Sequence, residues 1–284
     1  MNDFLQDRNE GAGWPLSLHH LCALDVSPAE LVTFAAAAGC YRVCLFTYVP
    51  DAARRFYPMV QADDVPALAD HMRASGVTLC NIEVFPLDGK EDPAAFEEAL
   101  RVGAALGATR ATAHIHDADA DTAITRFARF CAMAAQHGII AGLEFNSFSA
   151  VKDIASAATI VQGAGQSNGE LVCDMLHLVR SGGTAADVAA VADRIGYAQI
   201  SDGPATIADA DRWPEAIRQR ALPGDGDFPI IDIMQSLGRN AVIEIEVPQD
   251  AARKAGVTPE ERIRRAVAAT RALLARVPQA RIAS

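Results

Sequence analysis

Positive charge is scarce in this chain. Its 284 residues hold 25 Lys and Arg against 36 Asp and Glu, a net charge of −11 with an isoelectric point near 5.0. With no basic face to neutralise phosphates, nucleic acid is excluded as a partner. Aromatics are also few, 6% of a sequence that is half hydrophobic. The core must therefore be aliphatic and Ala-rich, as in a helix-rich α/β protein whose helices pack through small side chains. No apolar run approaches the roughly 18 residues a membrane-spanning helix requires, so no membrane association is expected. No CxxC pair occurs among Cys22, Cys40, Cys44, Cys80, Cys131 and Cys173, and several of these fall in predicted strands. They read as reduced core thiols of a cytoplasmic protein. The first ten residues are polar and acidic, unlike a signal or transit peptide. No linker, low-complexity tract or charge block divides the chain, so a single domain over 1–284 is expected.

What is present is a rhythm of short β-like runs and amphipathic segments. Residues 16–24, 41–47, 77–84, 111–116, 139–145, 170–174, 197–201 and 241–247 are eight candidate strands, and helical patterns such as 29–38, 94–106, 120–136 and 186–194 lie between them. Alternation of this kind implies parallel pairing through right-handed crossovers. Ser27-Pro28-Ala-Glu30 and Thr258-Pro259-Glu-Glu261 have the form of helix N-termini with proline at the first helical position, and Asp92-Pro93 is a weaker version. Gly39, Gly76, Gly107 and Gly138 are placed to end helices. Eight units, and no early glycine-rich phosphate loop, favour a closed (β/α)8 TIM barrel over about 15–275 rather than an open doubly wound sheet. Residues 202–228 exceed an ordinary connection. Following strand seven, they belong to the rim where barrel active sites sit.

Four of the runs end by delivering a polar side chain: Gly142-Leu-Glu144-Phe-Asn146, Cys173-Asp174-Met-Leu-His177, Tyr197-Ala-Gln199-Ile-Ser-Asp202 and Val242-Ile-Glu244-Ile-Glu246. The steps from Glu144 to Asp174, Gln199 and Glu246 each suit one strand and one return helix. Gathered at one rim, these four form an all-oxygen set suited to one divalent ion, Mn²⁺ or Mg²⁺, rather than Zn²⁺. Glu246 is nearer its strand end than Glu244, which is expected deeper as a structural acid. His177, three residues after Asp174, is expected in the following loop, close enough to touch the same substrate. His114 and His116 share a face at the end of strand four. Of His19 and His20, one faces the barrel, and His20 is the candidate for the pocket. Such a metal would polarise a carbonyl, with Glu144, Glu246 or His177 as the base for the α proton.

These segments, in this order, resemble the xylose isomerase-like TIM-barrel superfamily, which includes sugar phosphate isomerases and epimerases. The match rests on Leu-Glu144-Phe, Cys173-Asp-x-x-His177, Gln199-Ile-Ser-Asp202-Gly and Glu246-Val-Pro248, with Arg220-x-x-Pro-Gly-Asp-Gly-Asp227 similar to a loop after strand seven in many members. The resemblance implies a metal on Glu144, Asp174, Gln199 and Glu246, with His177 near the substrate and Arg220 gripping an anionic group. His20, His114, His116 and Asp202 complete the expected substrate contacts. It further implies a small hydroxy-carbonyl substrate and isomerase or epimerase chemistry. Ketose epimerases carry His where this chain has Gln199; Gln there looks more like the 3-dehydroshikimate dehydratases, so a lyase is the alternative. A non-catalytic ligand-binding barrel is a third reading. Barrels of this class often associate through outer helices, so a homodimer is compatible with the sequence.

Overall fold

The computed structural model describes residues 10–278 except 12, 91, 117 and 118; the polar segment expected at 1–9 lies outside them. Eight parallel strands form a ring: β1 (Trp14–His19), β2 (Arg42–Phe46), β3 (Thr78–Pro86), β4 (Arg110–His114), β5 (Ile140–Glu144), β6 (Gly169–Asp174), β7 (Ile195–Ile200) and β8 (Val242–Ile245). Each pairs with its neighbours in chain order, and β1 closes the ring on β8 with Ser17 opposite Glu244. The fold is a (β/α)8 barrel. A two-residue strand, Glu10–Gly11, adds antiparallel to β1.

The return helices form where their caps say. Before α1 (Pro28–Ala37), Ser27 Oγ accepts the Glu30 backbone N–H at 3.3 Å while Glu30 takes the Ser27 N–H at 2.8 Å. The reciprocal bonds satisfy two N–H groups that a helix start leaves over. α2 (Val65–Ser75) ends at Gly76, whose φ of 69° any other side chain would resist. α3 (Pro93–Ala105), α4 (Ala120–Ala135) and α5 (Ile154–Ala164) follow their strands in turn. α6 (Met175–Arg180) starts directly at the end of β6. The stretch expected as one helix over 186–194 is α7 (Ala185–Ala190) and a 3-10 turn, Ala192–Arg194. Residues 202–228 contain α8 (Arg212–Arg218). α9 (Ile230–Ser236), α10 (Asp250–Lys254) and α11 (Pro259–Leu274) complete the layer. None of these helices is long and apolar enough to cross a membrane.

The period of two along each strand divides the ring into two environments. Leu16, Leu18, Leu45, Ile82, Leu143, Leu171, Ile200 and Ile243 face the helices and belong to the main hydrophobic core. Inside the ring only a small apolar plug forms, from Cys80, Val172, Tyr197 and Val242. Above it, toward the strand C-termini, the interior is polar.

Candidate active site

The polar interior has two tiers. The lower tier is a closed hydrogen-bond network. Glu83 on β3 is met by His19 Nε2 at 2.8 Å, and accepts from Asn81 at 3.1 Å and Gln199 Nε2 at 3.2 Å. Glu244 accepts from Tyr197 at 2.5 Å, Ser17 at 3.3 Å and Gln199 Nε2 at 3.3 Å. His19 Nδ1 accepts the Leu21 backbone N–H at 2.8 Å, which puts the ring proton on Nε2, facing Glu83. Burial opposes a charge on His19, but Glu83, Glu244 and Glu246 raise its pKa to about 10. Taking that second proton means giving up the Leu21 bond. Burial also works against a charged Glu83, and His19 with the hydrogen bonds outweighs it, so Glu83 is lowered. Glu244 is pushed up to about 7, first by burial and then by Glu83, against His19 and its hydroxyl and amide donors.

The upper tier is built at the strand ends. Asp174 terminates β6 and caps α6, its Oδ1 accepting the backbone N–H groups of Leu176 at 2.6 Å and His177 at 3.2 Å. Its Oδ2 accepts from Arg220 Nη1 at 2.7 Å, while Arg220 Nη2 donates to Glu246 Oε1 at 3.1 Å. Glu144, at the end of β5, has His114 Nε2 3.0 Å from Oε2 and His177 Nε2 3.6 Å from Oε1. Glu144, Asp174 and His177 each bring a ligand-type atom within 4.8 Å of the others. Burial first, then the neighbouring Asp174 and Glu83 charges, push Glu144 well above the usual carboxylate range. Glu246 is likewise pushed up, by burial and by Asp174 and Glu144, against Arg220 and His19. Burial lowers His177 to about 4, leaving it neutral at pH 7. The loop after β2 adds Tyr57, whose pKa is raised by burial and by Glu246 and Glu83.

The donor set fits a hard divalent cation at the upper tier. Glu246 Oε2 and Gln199 Oε1 are buried with no hydrogen-bond partner. A buried acceptor without a donor is costly, and a cation would relieve both atoms together with the repulsion among the three carboxylates. Among the described residues two groups have metal-like geometry, the other being His19, Cys44, Glu83 and Glu244. That lower group is already satisfied by its own donors, and binding through His19 Nε2 would require moving its proton to Nδ1, against the Leu21 N–H. Glu144, Asp174 and His177 are therefore the group whose spacing suits an ion, His177 adding an imidazole that the all-oxygen expectation left out, and Glu246 Oε2 and Gln199 Oε1 are the acceptors such an ion would relieve.

Several expectations change. His20 is not in the pocket: β1 stops at His19 and a 3-10 turn, His20–Ala23, turns the next side chain outward. There His20 lies 3.1 Å from the Val26 carbonyl, stacks near Phe46, and burial lowers its pKa to about 3. Asp202 does not meet the pocket either. Its Oδ1 accepts the N–H groups of Gly203 at 2.8 Å and Phe228 at 3.0 Å, and its Oδ2 that of Gly224 at 2.9 Å, which folds the 222–228 turn against β7. Arg220 holds two protein carboxylates in place of a substrate anion. His177 sits in a helix rather than a loop. Glu244 lies below Glu246, as expected, and His116 is exposed with its ring 5.8 Å from that of His114. Sequence reasoning missed Glu83 and Tyr57, and of the pair His19 and His20 it favoured the wrong one. Asn81 and Glu83, two apart in an otherwise apolar run, were the available sign that β3 turns a polar face inward.

The family model described as the xylose isomerase-like TIM barrel matches residues 32–273. Among solved structures, the IOLI protein with a bound zinc atom is 17% identical, with a TM-score of 0.74 over 93% of this chain and 99% of its own. D-psicose 3-epimerase from Clostridium cellulolyticum H10, solved with D-tagatose, is 14% identical, with a TM-score of 0.69 over 91% and 99%. The probable 3-DHS dehydratase AsbF from Bacillus anthracis is 12% identical, with a TM-score of 0.71 over 89% and 97%. No curated protein matches the chain. At these identities the structures share the fold alone, but the family model spans most of the sequence, and the chain belongs to the xylose isomerase-like TIM-barrel family.

Proposed function

We propose that the chain is a divalent-metal-dependent isomerase or epimerase of a small polyhydroxylated carbonyl compound. The observation that carries this reading is the pair Glu144 and Glu246. They rise from strands three apart around an eight-strand ring, both are buried, and both are pushed up by burial and by like charge. Two carboxyls that repel each other across one pocket favour a state in which one is a base while the other holds a proton. A bound cation would supply the Lewis acidity that makes a proton next to a carbonyl removable. Arg220 fixes the orientation of the Glu246 carboxyl through its Oε1. Glu144 returns a proton from the other side, which inverts the carbon for an epimerase. Glu246→Gln keeps the shape and removes the base, so turnover should fall by about 10² to 10⁴ with the fold retained. Full activity in that variant would contradict the reading.

One observation favours a second reading. His177 is neutral at pH 7 and stands beside Glu144, so it can act as the base of a lyase that expels a β-hydroxyl. Elimination leaves a conjugated product with new ultraviolet absorption, whereas epimerisation leaves the spectrum flat.

A further inference from the structure

Gln199, near the end of β7, is fully buried between the two tiers. Its side-chain nitrogen carries two N–H groups, and each finds a carboxylate. Nε2 donates to Glu83 Oε1 at 3.2 Å and to Glu244 Oε2 at 3.3 Å. The carbonyl oxygen, Oε1, is buried with no hydrogen-bond partner. A carboxamide keeps nearly the same shape when nitrogen and oxygen are exchanged, so its neighbours decide which atom faces which way. The exchanged orientation would set Oε1 against two carboxylates, acceptor against acceptor, and turn both N–H groups toward the upper tier.

The two acids are themselves held. Glu83 is fixed by His19 Nε2 at 2.8 Å and by Asn81 Nδ2 at 3.1 Å. Asn81 is locked in turn by Thr112, whose Oγ1 accepts from Nδ2 at 2.9 Å and donates to Oδ1 at 3.2 Å. Glu244 Oε1 accepts from Tyr197 and Ser17, which leaves Oε2 for Gln199. These side chains come from five strands, β1, β3, β4, β7 and β8, and all are buried. Barrel interiors are usually filled by branched aliphatic residues, and burying carboxyl groups instead does not favour folding. Two acids aimed at one amide are explained by what that amide presents above them.

We infer that Glu83 and Glu244 are positioning residues for Gln199: by accepting its two N–H groups they turn its carbonyl oxygen toward the upper tier, as a ligand for a hard divalent cation. This role rests on the reading above, in which that tier holds a metal. The two acids differ in the change they tolerate. The hydroxyls of Tyr197 and Ser17 can accept as well as donate, so Glu244→Gln can keep an oxygen toward Gln199. At Glu83 the His19 Nε2–H demands an acceptor for as long as Nδ1 takes the Leu21 N–H. Glu83→Gln must therefore turn its new nitrogen toward Gln199, donor against donor, which favours the exchanged amide.

The test is calorimetric titration of the chelator-stripped full chain with Mn²⁺, each variant being checked for folding by circular dichroism. Glu83→Gln should weaken Mn²⁺ binding about 10- to 100-fold, the scale on which a metal ligand's supporting hydrogen bonds act. Glu244→Gln removes the same charge but keeps the acceptor, and should stay within about threefold of wild type. In a Gln199→Ala background, where no amide remains to be turned, adding Glu83→Gln should cost about threefold or less. If Glu83→Gln does not fold, Glu244→Leu takes its place in the cycle. Tyr197 Oη and Ser17 Oγ, 3.5 Å apart, then keep each other as partners, and the group left stranded is one Gln199 N–H. Glu244→Leu should cost about tenfold alone and about threefold or less in Gln199→Ala. Unchanged affinity in Glu83→Gln or its replacement, an equal fall in the Gln199→Ala background, or an equal fall in Glu244→Gln would overturn the positioning role. The last two would show charge acting through space, and all three leave the metal reading standing. No Mn²⁺ binding by wild type would overturn the metal reading and the positioning role with it.

Discussion

A buried carboxylate is stable where donors surround it, and the five inside the strand ring divide on that ground. Glu83 and Glu244 are met by hydroxyl, amide and imidazole donors and serve as architecture. Glu144 and Glu246 are pushed well above the usual carboxylate range by burial and then by neighbours of their own sign, further than Glu244, which is raised to about 7, and Glu246 keeps one oxygen unpartnered. Asp174 stays ionised because Arg220 and two backbone N–H groups outweigh its burial. The histidines divide similarly. Burial, with the adjacent His19, takes His20 from an ordinary 6.5 to about 3. The sign is that of a depressed base: below pH 6.5 the unfolded chain takes up a proton that the folded chain refuses. The stability contributed above that pH is therefore lost as pH falls toward 3. Urea unfolding across this window should give His20→Gln an acid limb shallower by about one proton than wild type. Equal slopes would show that His20 does not titrate on unfolding.

At the scale of elements, the segment between β7 and α9 is what completes the site, because it carries Arg220. It is anchored by Arg180 at the end of α6, whose Nε donates to Glu215 Oε2 at 2.7 Å while Nη2 donates to Oε1 at 2.5 Å, both side chains being buried. Removing one partner of a buried pair strands the other charge. Arg180→Met should cost about 3–5 kcal/mol in urea unfolding, and Arg180→Met/Glu215→Leu should recover most of it. A single variant within 0.5 kcal/mol of wild type would contradict the anchoring role. The elements themselves were legible. Apolar runs of strand length, capping residues such as Ser27 and Thr258, and terminal glycines are local signals, and eight strands form on the expected runs, though the first ends at His19 rather than at Leu24. Side-chain direction was less legible. Whether His19 or His20 faces the barrel depends on where β1 stops, and a 3-10 turn decides that. Arg220 reaches Asp174 and Glu246 because the 202–228 segment folds back across the mouth, held by Asp202 on three backbone N–H groups. Glu83 was legible only through its spacing from Asn81, since an acid in an apolar strand otherwise reads as an edge position until the ring closes around it.

For the whole molecule, the barrel concentrates negative charge at one end of a chain that is already acidic. Five buried carboxyl groups line the ring, with Arg220 as the cation among them and the His19 imidazole as a donor to Glu83. Charge of that sign in a water-poor pocket favours a divalent cation, and the unpartnered oxygens of Glu246 and Gln199 mark the tier where it would bind. Thermal unfolding of the chelator-stripped protein, with and without Mn²⁺, on wild type and Glu246→Gln tests this most directly. At 100 times its dissociation constant the ion should stabilise wild type by about 2.7 kcal/mol, roughly 5 °C in the midpoint, and the variant should lose most of that shift. A wild-type midpoint unmoved by Mn²⁺, or an equal shift in both proteins, would contradict a metal centre at the upper tier.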